Sequence, residues 1–147
     1  MLYRKLLKPI FFKMDPERAH HLVVDGLGSA SRLPGVKPLL RGMYGIGPTP
    51  SLETELFGLK FRHPVGLAAG LDKNAKAVEA FANVGLAFLE VGTVTPKGQP
   101  GNELPRLFRL TADDALINRM GFNNEGAEAM AERLRALKER QIGRAHV

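Results

Sequence analysis

The stretch Val65-Gly-Leu-Ala-Ala-Gly-Leu-Asp-Lys-Asn74 constrains the fold of this chain more than any other. Val65 to Ala69 is a short apolar run of the kind found in a strand buried on both faces. Asn74 to Val84 reads as a helix, with Ala77, Val78, Ala80, Phe81 and Val84 apolar, and Gly85 closes it. Phe88 to Thr93 reads as the next strand. Strand, helix and strand joined by short connections make a βαβ unit, with a parallel pair and a right-handed crossover. The class is therefore α/β.

In parallel α/β folds, ligands sit at the C-terminal ends of the strands. Ala68-Ala69-Gly70 through Lys73 occupies the first such end. Its small residues let something flat lie against the backbone, and a lysine just beyond them can meet an anion. Gly92-Thr93-Val94-Thr95 occupies the second end. Asn118-Arg-Met-Gly-Phe-Asn-Asn124 follows a third apolar run, Ala115 to Ile117. Its amides suit the carbonyl and N–H groups of a planar ring. They equally suit a capped turn, with Asn123 or Asn124 starting a helix over 125–137. Neither G-x-G-x-x-G after a strand nor G-x-x-x-x-G-K-[ST] is present, so neither a dinucleotide fingerprint nor a P-loop is expected.

The flanking pieces are simpler. Leu52 to Phe61 alternates around Gly58 and reads as a hairpin. Lys97 to Asn102 reads as a flexible turn. Pro105 to Leu110 is strand-like, and its arginines fit either a salt-bridged edge strand or an anion contact.

Charge divides the chain. The net charge is +6, and residues 1–48 hold eight Lys/Arg against three Asp/Glu. Such asymmetry suggests an anionic partner, either membrane or nucleic acid. Residues 2–14 place Tyr3, Leu6, Leu7, Ile10, Phe11 and Met14 on one helical face, with Arg4, Lys5, Lys8 and Lys13 mostly off it and a kink at Pro9. This fits a helix lying in a membrane interface or one packed on its own domain. Asp15-Pro-Glu17 starts a second helix running to Gly28. His20 and His21 on it read most simply as packing or surface groups. Gly28 to Pro50 is a loop, a short helix near Val36 to Leu40, and a linker. Cysteine is absent, so disulfides and thiolate metal sites are excluded, and no metal site is expected.

Taken together, these segments resemble one family, the membrane-associated, quinone-dependent (class 2) dihydroorotate dehydrogenases. The matching pieces are Asp15-Pro-Glu-Arg-Ala-His20, Gly66 to Lys73, Glu90 to Pro96, Gln99 to Asn102, Pro105 to Leu110 and Ile117 to Asn124. The resemblance covers residues 1–140, and the N-terminal helices favour class 2 over the soluble class.

It implies an incomplete (β/α)8 TIM barrel over 49–141, preceded by a small N-terminal helical membrane-docking extension over 1–48. It implies FMN as cofactor, with Ala69, Gly70, Leu71, Asp72, Lys73 and Thr93 as its contacts. Lys73, Asn118, Arg119, Met120, Gly121 and Phe122 are implied for dihydroorotate or orotate, and His20 and Arg109 for the quinone tunnel. The implied reaction is oxidation of dihydroorotate to orotate in pyrimidine synthesis, with a membrane quinone as acceptor. The implied location is the cytoplasmic side of the cell membrane, held peripherally on an anionic surface, with no nucleic-acid partner. The family's base is a serine well past the amide cluster, so no catalytic base is expected within this chain, and the chain alone is expected to be inactive. The competing expectations are a non-catalytic membrane-binding fragment and another FMN-dependent TIM-barrel oxidoreductase, such as a soluble-class relative. Residues 142–147, Ile-Gly-Arg-Ala-His-Val, match no family pattern and resemble a translated sequencing adapter, so they are expected to be a non-native tail.

Overall fold

The computed structural model describes residues 3–139. The expected tail at 142–147 lies outside the described residues.

The N-terminal segment is helical and changes character at Pro9. Tyr3–Leu7 is a wide helical turn, and α1 follows at Lys8–Lys13. α2 spans Pro16–Ala30, and the Asp15 carboxylate caps it by accepting from the Arg18 N–H at 2.9 Å. Gly28 does not end α2. It lies inside the helix, where a Cβ would come within 2.4 Å of the Lys76 carbonyl oxygen. The glycine serves close packing, so the helix continues past it. α3 spans Val36–Tyr44. Its cationic face turns inward: Lys37 pairs with Glu79 at 2.6 Å, and Arg41 donates to Asn83 Oδ1 at 2.9 and 3.2 Å.

The expected hairpin forms. β1 (Thr54–Leu56) and β2 (Leu59–Phe61) are antiparallel, with Leu56 opposite Leu59. Phe57 and Gly58 fill the two-residue loop with φ of 54° and 73°. Positive φ at both positions suits the right-handed twist of the strands.

The parallel pair forms over a short length. Ala87 N–H donates to Val65 O, Leu67 N–H to Phe88 O, Glu90 N–H to Leu67 O and Gly70 N–H to Gly92 O, at 2.9–3.1 Å. The helix between them, α4, is shorter than expected, at Val78–Phe81. The Asp72 carboxylate explains this. Its two oxygens accept from the Lys76 and Ala77 N–H groups, each at 2.7 Å, and hold 72–77 as a turn.

Two expectations are corrected. Lys97 to Asn102 is not simply a flexible turn. β3 (Lys97–Gln99) pairs antiparallel with β6 (Asn124–Gly126), because Gly98 lets the Glu125 backbone approach. The run at Ala115 is not a further parallel strand. β5 (Ala115–Asn118) pairs antiparallel with β4 (Leu107–Leu110). A helical turn at Thr111–Asp113 and a left-handed Asp114 (φ 47°) reverse the chain between them. α5 then runs over Ala127–Glu139. Asn124 does not cap α5. Its side chain joins Thr95 to the β6 turn, accepting from the Thr95 and Gly126 N–H groups.

The core is made of small side chains. Ala19 and Val24 of α2, Ala75, Ala77 and Ala80 around α4, Met120, and Met130 of α5 are buried. α2 packs against α4 and β4, so the N-terminal helices lie directly on the βαβ unit. Lys76 reinforces this seam, meeting Asp25 of α2 at 3.5 Å and Glu125 at 3.1 Å.

Candidate active site

The end of the parallel pair opens into a cavity of about 770 Å³. Ala69, Gly70, Leu71, Asp72 and Lys73 form one wall, and Asn118, Met120 and Asn123 another. The N-terminal helices close a third side with Phe11, Phe12, Ala19 and His20, and Arg109 lies among them. Gly70 has φ 109°, and a Cβ built on it meets nothing within 4 Å. The backbone there is bare and faces open space.

Lys73 is the cavity's cation beside that bare backbone. Its ammonium donates to Asn123 Oδ1 at 2.5 Å and to the Gly121 carbonyl at 3.4 Å. Both acceptors are neutral, and among the described residues no carboxylate lies within ion-pair distance of it. Burial, and then the nearby Arg106 guanidinium, hold its pKa below the usual lysine value, with Glu17 opposing. A half-buried ammonium with only neutral partners is suited to an incoming anion.

His20 shares the cavity. Burial, then the neighbouring His21, then Lys73 lower its pKa, so the neutral imidazole is favoured. Arg109 reaches across to α1. Its Nη1 donates to the Met14 carbonyl at 2.6 Å, and its guanidinium lies 4.9 Å from the Phe12 ring centroid. Lys8 Nζ lies 4.9 Å from the same centroid.

Comparison with known proteins bears directly on this arrangement. The sequence model described as dihydroorotate dehydrogenase matches residues 51–146. The chain belongs to the dihydroorotate dehydrogenase family. It is similar to the dihydroorotate dehydrogenase (quinone) of Christiangramia forsetii, at 49% identity over 97% of this chain and 42% of that protein. It is also similar to that of Deinococcus deserti, at 52% identity over 96% of this chain and 39% of that protein. Among solved structures, Eimeria tenella DHODH in complex with ferulenol aligns with a TM-score of 0.72 and 41% identity, over 88% of this chain and 33% of that one. The chain thus spans about two fifths of the length of these curated relatives. Its relatives are enzymes, and the family fold is the α/β TIM barrel. The described residues hold one parallel pair of that barrel and three two-stranded antiparallel sheets.

Against this dihydroorotate dehydrogenase background, the residues expected in the site separate into two groups. Ala69, Gly70, Leu71, Asp72, Lys73, Asn118, Met120, His20 and Arg109 all line the one cavity. Thr93, Arg119, Gly121 and Phe122 are not among its lining residues. Arg119 turns away, donating to the Pro105 carbonyl at 3.1 and 3.4 Å, and Phe122 is 64% exposed. Gly121 contributes through its carbonyl to Lys73. The carboxylate of Asp72 is committed to its own turn, so only its backbone is available to a ligand.

Some residues take roles here that the sequence did not assign to them. Asn123, read from the sequence within the amide cluster and as a possible helix cap, is the partner of Lys73. Glu17, read only as a helix-end charge, pairs with Arg106 through contacts of 2.6–3.2 Å. The sequence placed the two arginines of 105–110 together. The structure gives them separate roles, Arg106 on α2 and Arg109 on the end of α1.

Proposed function

We propose that the protein carrying this chain oxidises dihydroorotate to orotate, with FMN bound in the cavity and a membrane quinone as final acceptor. The observation that supports this best is Lys73, an ammonium without a carboxylate partner among the described residues, in a cavity lined by Ala69 and the bare backbone of Gly70.

The donor set fits a flavin. A flat ring system needs backbone without side chains in its way, which Gly70 supplies, and a cation near its electron-rich edge, which Lys73 supplies. Bound FMN would provide the hydride acceptor for C6 of dihydroorotate. Lys73 would meet negative charge on both cofactor and substrate, an interaction that strengthens as charge builds in the transition state. Asn118 and Asn123 offer amides to the ring edge of the substrate. Met120 and Phe12 keep the cavity apolar away from these groups. The C5 proton would pass to a serine base outside residues 1–147. Thr93, Arg119, Gly121 and Phe122 are proposed as contacts reached only with the rest of the barrel in place.

The quinone would enter on the side of α1 and α2, past His20 and Arg109. Tyr3, Leu6 and Ile10 are 54–55% exposed there, among Arg4, Lys5 and Lys8. This supports peripheral attachment to an anionic membrane, on its cytoplasmic side. Among the described residues no helix is long and apolar enough to cross a membrane. Two measurements on the full-length protein test the proposal. Flavin released on denaturation should be FMN in a one-to-one ratio, and orotate should bind the purified protein saturably. A protein without flavin, or one indifferent to orotate, would refute it.

A further inference from the structure

We propose that Glu17 and Arg106 act as a positioning pair, through which helix α2 holds the Asn118–Asn123 segment in the geometry that receives the substrate. This rests on the assignment of that segment to dihydroorotate and orotate.

The links are continuous. Glu17, in the first turn of α2, is 8% exposed. Both its oxygens accept from Arg106 Nε, at 3.2 and 3.0 Å, and Oε1 also accepts from Nη2 at 2.6 Å. The remaining terminal nitrogen, Nη1, donates to the Pro100 carbonyl at 2.5 Å and the Asn102 carbonyl at 2.9 Å. One guanidinium therefore fastens the 100–102 loop to α2. That loop in turn holds the substrate segment. Asn102 N–H donates to the Met120 carbonyl at 2.9 Å, and its side-chain amide to the Arg119 carbonyl at 2.7 Å. Arg119 N–H donates back to the Arg106 carbonyl at 2.9 Å. Gly101 lets the two loops close on each other, since a Cβ there would lie 2.3 Å from the Met120 oxygen. The chain ends at Lys73, which donates to Gly121 O and Asn123 Oδ1.

The pair also sets charge. Arg106 repels the Lys73 ammonium and Glu17 attracts it, so the paired arginine disturbs Lys73 less than an unpaired one would. A fork-shaped guanidinium can hold a carboxylate and two carbonyls together in a way that an ammonium cannot. Neither Glu17 nor Arg106 is among the residues lining the cavity, so they act on the substrate only through the segment they hold.

The test uses the full-length, flavin-loaded protein and orotate as the probe. Glu17→Gln, Arg106→Lys and the double variant are compared by orotate Kd and by the KM values for dihydroorotate and a soluble short-chain quinone. Each single variant is expected to weaken orotate binding about tenfold and raise the dihydroorotate KM similarly. The quinone KM is expected to stay within about twofold, and the double variant to be no worse than the poorer single one. Asn102→Ala breaks the link inside the loop, away from α2, and should reproduce the loss even if Glu17→Gln fails to fold. Orotate affinity within about twofold of wild type in Arg106→Lys and Asn102→Ala would overturn the proposal. Wild-type protein that does not bind orotate would instead overturn the assignment of the segment, which is a separate result.

Discussion

At the scale of single residues, some groups are committed inside the fold and others are left for a ligand. Asp72 is committed: it is 3% exposed and holds two backbone N–H groups. Asp72→Ala would strand those donors and should lower stability by about 2 kcal/mol, read by chemical denaturation. Lys73 is left for a ligand. Lys73→Ala should reduce dihydroorotate oxidation at least about 100-fold while the melting temperature barely moves. A large drop in stability with little loss of rate would reverse these two roles. His20 gives a pH signature. Its folded pKa is lowered, so the folded state favours neutral imidazole. The stability tied to this is complete above the unfolded histidine value, about 6.5, and is lost as pH falls through it towards the lowered folded value. Glu17, also lowered, by its hydrogen bond from Arg106, acts in the same direction at more acidic pH, below the ordinary carboxylate value. Melting curves from pH 7 to 5 should therefore fall more steeply for wild type than for His20→Asn.

At the scale of elements, local chemistry explains what could be read in advance. The hairpin at 54–61 and the start of α2 at Asp15 were legible because each depends on neighbours in sequence: a two-residue turn and a side-chain cap. The parallel pair was legible from the apolar runs at 65–69 and 88–93. The β3–β6 and β4–β5 pairings were not, because they depend on partners up to about thirty residues away and on a left-handed Asp114 that no periodicity reveals. Within the site, Lys73 and the bare Gly70 were legible from residue type alone. The Glu17–Arg106 bond spans 89 positions in sequence, and nothing local marks it. Gly28 gives a test at this scale. Gly28→Ala would favour the helix intrinsically, but it drives a methyl into the Lys76 carbonyl at 2.4 Å. Overpacking of this kind costs about 1–3 kcal/mol, so the variant should be less stable than wild type.

At the scale of the whole molecule, the described residues form one end of a site rather than a closed barrel. The parallel pair, the N-terminal helices and the amide segment meet around one cavity. Large apolar side chains such as Leu116 and Phe122 remain exposed. The 147-residue chain by itself is therefore expected not to oxidise dihydroorotate. The N-terminal segment should nonetheless carry membrane affinity. Full-length protein should co-sediment with anionic liposomes, and deletion of residues 1–14 should abolish this; unchanged binding would place the membrane surface elsewhere. The most direct measurement is dihydroorotate-dependent reduction of a quinone by the full-length protein, compared with its Lys73→Ala variant. Turnover with quinone is expected for the wild type and should be lost in the variant. Turnover with NAD or fumarate but not with quinone, or full activity without Lys73, would contradict it.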